Sequence, residues 1–317
     1  MNIYTQIYEL VSALPLVKLW PEMTDVLQRI VGKKPRNWQL PLITCGAMGG
    51  RESQALPAAA AIACLQISII LIDDMLDDDP NGDYRRVGAP AAANMAVAFQ
   101  SAAFQLIAQA DALTHLQKMT ISQNLNEMVF ITAYGQYKDS QNPIDEDEYW
   151  HLVKTKSAPF FSCALHIGAL SADAGSLAET TENVRQLGAL YGEMIQIHDD
   201  LNDTMAQPAD PDWLLGRSPL PILFAKLVEH PHQARFWSLC DSITAPGALT
   251  EAQNILIQCG AVSYCVSELL SRYQAAQQLL GQTTLPDKGQ INALLTELVE
   301  PLADLLAASR AKRPLLP

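Results

Sequence analysis

The chain is short of charge, has no basic run and shows no cysteine pairing pattern, and each shortage removes a class of function. Charged residues are only 17% of its 317 residues and sum to a formal net charge of −13. A nucleic-acid partner needs a Lys/Arg surplus on one face, so that class is excluded. The 6 cysteines are scattered through apolar surroundings, with no C-x-x-C and no clustering with histidine. That excludes zinc frameworks and reads as small core residues in a reducing compartment. The N-terminus lacks a basic region and a small-residue cleavage site. No stretch approaches the roughly 20 unbroken apolar residues of a membrane span, so no transmembrane segment is expected and the cytoplasm is the expected location. No alternating strand segment and no Ser/His/Asp or Cys/His nucleophile arrangement stands out, and His166 and His198 read as ordinary helix residues.

Hydrophobic residues, at 49%, are ample for a large core. They recur at helical spacing over 43–50, 56–76, 89–113, 116–137, 149–174, 184–201 and 220–228. Turn-rich stretches break the pattern at 32–37, 77–83, 139–148 and 205–213. None is long enough to be a linker, so the expectation is an all-α, single-domain bundle over 1–317, of about ten or more helices around a central substrate cavity. From about 233 onward further amphipathic helices complete it, before a basic end at 309–317.

The chemistry sits where apolar helices turn abruptly acidic. QISIILIDDMLDDDP runs from an apolar stretch too hydrophobic for a surface helix into Asp73, Asp74 and Asp77, with Asp73 and Asp77 one turn apart on one face. GEMIQIHDDLND repeats the pattern with Asp199, Asp200 and Asp203, and Gln196 lies one turn earlier. Like charges at that spacing repel and ask for a cation. Oxygen-only ligands point to Mg²⁺ or Mn²⁺ over zinc, and Mg²⁺ completes its coordination with water and substrate phosphate. Two such clusters facing each other across a bundle are suited to holding one diphosphate.

From about Gly32 to Pro221 the chain resembles the trans-isoprenyl diphosphate synthases, the polyprenyl synthetase family. The resemblance implies an isoprenoid-synthase fold, the two Asp motifs as ligands of about three Mg²⁺, and an allylic prenyl diphosphate and isopentenyl diphosphate as partners. Gly32-Lys33-Lys34-Pro35-Arg36 is similar to G-K-x-x-R, which gives Lys33 and Arg36, with Gln66, the isopentenyl diphosphate. Arg85-Arg86 resembles the pair that divides its contacts between the two diphosphates. Gly135-Gln136-x-x-Asp139 and Lys154-Thr155 look like G-Q-x-x-D and K-T, which would put Lys154 and Thr155, with Gln196, at the allylic leaving group. A homodimer is implied in the same way.

The departures concern charge. Val87 interrupts the Arg-Arg-Gly element, Ile195 stands where Phe is usual, Arg217 replaces the lysine of D-x-x-G-K, and the loop after Asp203 offers no basic residue. The implied reaction is head-to-tail condensation giving a longer trans-prenyl diphosphate. Leu65, Ser68 and Ile69, below Asp73 on the same helix, are expected at the tunnel floor, with Phe99 closing it lower down. Small Ser68 favours a C20 product. A class I terpene cyclase or unusual coupling enzyme, and a non-catalytic subunit of a heteromeric synthase, are the competing readings.

Overall fold

The computed structural model describes residues 2–172 and 178–300, and every regular element among them is helical. The basic end at 309–317 and the close of the helix expected to reach residue 174 lie outside the described residues.

The helix Glu52–Leu76 runs through the centre. Its alanine-rich, all-round apolar surface suits only an interior position, and Ala58 to Leu65, Ile67, Ser68 and Leu71 are all buried. Gln54 turns back to accept the Arg51 N–H at 2.8 Å, and the helix ends at Asp77, whose N–H bonds to the Asp73 carbonyl. The Asp motif is thus the last turn of a buried helix. This helix and Ala89–Ala108 are long and apolar enough by composition to cross a membrane, although polar residues interrupt both, so the expectation that no unbroken apolar run of that length occurs holds. The first has 67% of its most apolar window buried within the protein, as a core helix does.

Against it pack Ile3–Ala13, Leu40–Ala47, Ala89–Ala108 and Ala158–Ala172, and Ala158–Ala172 in turn carries His115–Asp139 and Ala178–Met205. The helix expected over 149–174 is two helices, Glu146–Lys156 and Ala158–Ala172. Pro159 explains the break, since it has no N–H to bond back to the preceding turn and is tolerated only in the first turn of a new helix, which starts at Ala158. Asp145 caps Glu146–Lys156 by accepting the Glu148 N–H at 2.8 Å. Acidic residues fill the first turn and Lys154 and Lys156 the last, as the helix dipole favours. At Gly135 a Cβ atom would lie 2.4 Å from the Thr155 carbonyl carbon, so this glycine lets Glu146–Lys156 approach His115–Asp139 backbone to backbone. A second, smaller core gathers Trp213, Ile222, Phe236, Leu256 and Ala261, and Val262 packs against both cores.

Candidate active site

The ends of Glu52–Leu76, His115–Asp139, Glu146–Lys156 and Ala178–Met205 open onto one cleft of about 400 Å³. Its lining includes Asp73, Asp74, Asp77, Asp199, Asp200 and Asp203, so the two acidic helix segments do form opposite walls. Asp79, Asp139, Asp210 and Asp212 add to them, against one lysine, Lys156, and one arginine, Arg217. Burial first, and the neighbouring carboxylates after it, raise three of these acids. Burial, then Asp79, pushes Asp74 up to about 6. Burial, then Asp210 and Asp199, pushes Asp203 up to about 6. Burial raises Asp212 to about 7 despite Arg217 beside it.

The first wall is cross-linked by charge. Gln136 donates to Asp73, Lys156 donates to Asp139 and stands 3.5 Å from Asp73, and Arg217 pairs with Asp77. The second wall is held by neutral donors. Asp200 is 5% exposed and accepts Tyr149 Oη at 2.7 Å, the Leu220 N–H at 2.8 Å and Gln196 Nε2 at 2.7 Å. Ser157 in turn donates to Gln196. Asp199 and Asp203 are exposed to the cleft.

The lysine expected from Lys154-Thr155 is elsewhere. Lys154 is exposed and absent from the cleft lining, and the Thr155 hydroxyl bonds back to the His151 carbonyl at 2.9 Å. Lys156 and Ser157 take the places in the cleft. Helical phase carried the signal: Tyr149, Val153 and Lys156 are spaced i, i+4, i+7 on the buried face, while Lys154 is turned away from it. Asn142 and Asp210 also line the cleft from loops, and Asp212 from the one-turn helix Pro211–Leu214 that Asp210 caps, all in stretches that periodicity does not read.

The residues expected at a second diphosphate stand outside this lining. Lys33 is exposed at the end of Pro21–Lys33, and Arg36 holds both carboxylate oxygens of Glu297. Tyr4 Oη donates to the Lys34 carbonyl at 3.0 Å and fixes the turn between them. The Gln66 side-chain oxygen is buried without a hydrogen-bond partner. Arg85 lies over Tyr84 and pairs with Asp78, and Arg86 is exposed. Beneath Asp73 a narrow cavity of about 70 Å³ is lined by Leu65, Ser68 and Ile69, joined by Ile72, Gln100 and Thr132. Phe99 does not line it; it is fully buried in the core, and its neighbour Gln100 faces the cavity.

Among the described residues no three acidic, histidine or cysteine side chains converge into a preformed metal cage. The donor set still fits Mg²⁺, which binds through one or two carboxylates and leaves other positions to water and phosphate.

The polyprenyl synthetase family model matches residues 18–241, and the chain belongs to that family. It is 25% identical over 287 residues to the geranylfarnesyl diphosphate synthase of Aeropyrum pernix, covering 82% of this chain and 88% of that one. It is 24% identical over 287 residues to the short chain isoprenyl diphosphate synthase of Methanothermobacter thermautotrophicus, with 84% and 86% covered. The geranylgeranyl pyrophosphate synthetase structure from Pyrococcus horikoshii superposes with a TM-score of 0.81 at 20% identity, covering 94% of both chains, which confirms the all-α isoprenoid-synthase fold.

Proposed function

We propose that the chain is a trans-prenyltransferase that condenses an allylic prenyl diphosphate with isopentenyl diphosphate. The observation that supports this most is the single cleft in which both D-D-x-x-D segments face Lys156 and Arg217. Asp73, Asp77, Asp199 and Asp203 are the carboxylates we assign to Mg²⁺, with Mn²⁺ as the other oxygen-preferring ion. When bound, the metal neutralises charge on the diphosphate oxygens and makes the diphosphate a better leaving group. Lys156 and Arg217 exchange their carboxylate partners for those oxygens, and Ser157 with Gln196 borders the same space. Asp74 backs the first wall. Asp200, with both oxygens engaged, anchors the second wall. The allylic C–O bond breaks and releases diphosphate, the double bond of isopentenyl diphosphate forms the new C–C bond, and the adduct gives a proton to the departing diphosphate.

Lys33, Arg36, Gln66 and Arg86 are assigned to the isopentenyl diphosphate, for which the unpartnered Gln66 oxygen marks an amide free to reorient. Arg85 guards the loop after the first motif. The cavity beneath Asp73 takes the prenyl tail, and small Ser68 at its wall supports a C20 product. Incubating the purified chain with Mg²⁺, an allylic diphosphate and labelled isopentenyl diphosphate tests this. A C20 diphosphate is expected. A dominant C15 product or a C30-plus ladder overturns the length, a hydrocarbon or alcohol favours the cyclase reading, and no product favours the non-catalytic subunit.

One domain is supported by Val262, which joins the two cores. A homodimer is supported by exposed Met119, Phe130 and Tyr137, which fall on one stripe of His115–Asp139 beside exposed Leu116 and Tyr134. Sedimentation checks it. Six free cysteines support a reducing location such as the cytoplasm.

A further inference from the structure

Among the described residues Arg217 is the one arginine lining the cleft, and it sits in a loop, where side chains are usually poorly fixed. Here the loop is clamped on both sides of it. Asn142 Nδ2 donates to the Gly216 carbonyl at 3.1 Å, and Asn142 Oδ1 accepts the Ser218 N–H at 3.0 Å. One amide side chain thus reproduces the paired bonds of an adjacent strand across Gly216-Arg217-Ser218, and leaves the Arg217 side chain to reach Asp77. Asn142 itself has φ 58, a left-handed conformation that asparagine tolerates better than most residues. On its N-terminal side the segment is also tied by the Arg217 N–H to the Asp212 carbonyl at 2.8 Å and the Gly216 N–H to the Trp213 carbonyl at 3.4 Å, and beyond Ser218 by Lys226 Nζ to Ser218 Oγ at 3.0 Å and the Leu220 N–H to Asp200. The Gly216 carbonyl and the Ser218 N–H, the two groups between these ties, are the ones Asn142 holds.

We propose that Asn142 is a positioning residue that clamps the Gly216–Ser218 backbone so that the Arg217 guanidinium is presented to the leaving diphosphate. This rests on the prenyl-transfer reading above. The clamp matters in this chain because the loop after Asp203 supplies Asp210 and Asp212 to the cleft and no lysine. Among the described residues Arg217 is therefore the lone cation on that side, and a displacement of about 1 Å is enough to cost a large part of its effect.

Asn142→Gly tests the clamp without disturbing the backbone, since glycine adopts positive φ freely. Two measurements separate position from chemistry. Without substrate, trypsin cleavage after Arg217 is followed beside the thermal midpoint. Faster cleavage at an unchanged midpoint is expected, and an unchanged rate overturns the clamp. Turnover is then measured for Asn142→Gly, Arg217→Ala and the double variant. A fall in kcat of about ten- to a hundredfold for Asn142→Gly is expected, with the double variant no worse than Arg217→Ala alone. Additive losses overturn an action through Arg217. Absence of prenyl transfer in the unmodified protein overturns the functional reading, while the trypsin result still decides whether Asn142 holds the loop.

Discussion

The two walls of the cleft carry the same D-D-x-x-D spelling and are held in opposite ways. The first ends a helix, and Lys156 and Arg217, cations from other elements, bind Asp73 and Asp77. The second lies within the 28-residue helix Ala178–Met205, and its buried member takes three bonds from Tyr149, Gln196 and Leu220. Charged contacts that line open space can be exchanged for a substrate's charges, whereas a satisfied buried carboxylate is costly to disturb. One wall is therefore held by contacts that can be traded and the other by contacts that are costly to break.

The largest expected effect treats the walls alike. Asp73→Ala and Asp199→Ala should each lower kcat on the order of a hundred- to a thousandfold while the helical circular dichroism persists. Near-normal turnover in both breaks the assignment. Next, Lys156→Ala should cost about a hundredfold in kcat, with Lys154→Ala within about twofold, as for an exposed residue. The reverse order would restore the K-T dipeptide as the functional pair.

Stability should separate the walls. Asp200→Ala strands the Tyr149, Gln196 and Leu220 donors and should destabilise by about 3 kcal/mol in urea unfolding, whereas Asp77→Ala should change the midpoint little. Equal losses would erase the distinction.

The smallest effect lies away from the cleft, at His166. Burial, then Arg185, lowers its pKa from 6.5 to about 4, and Asn124 Oδ1 lies 2.9 Å from its Nδ1. Between these values the unfolded chain binds the proton and the folded chain does not, so this histidine's contribution weakens as pH falls from 6.5 towards 4. The difference in unfolding free energy between the parent and His166→Gln should therefore drift by about 1–3 kcal/mol across that window, against the parent at the acid end. A difference that does not vary with pH contradicts it.

How much of this was legible in the sequence follows from what each residue is attached to. The helices and the Asp walls are readable because apolar phase and i, i+4 carboxylates are local patterns, and Arg217 because its loop keeps an acidic residue followed by Gly-Arg, although Asp212 stands one residue further from Gly216 than D-x-x-G-K requires. Lys156 was missed because a familiar dipeptide two residues earlier outweighed helical phase. The split at Ser157 was missed because Pro159 was not weighed inside an otherwise periodic run. Asn142, Asp210 and Asp212 depend on how loops fold over the helix ends, which no spacing encodes. Phe99 was placed one position away from Gln100, a 100° error around the helix.

Gly135 sets a dimension. With hydrogen in place of a side chain, the gap between His115–Asp139 and Glu146–Lys156 is fixed by peptide planes in contact, the least compressible spacer a protein has. Gln136, next along, reaches Asp73 from one side of that contact, and Lys156 reaches it from the other. The two groups that hold the Asp73 carboxylate are therefore gauged from one point. A single added methyl would act as a shim, tilting one lever away from the other and detuning the carboxylate without touching it.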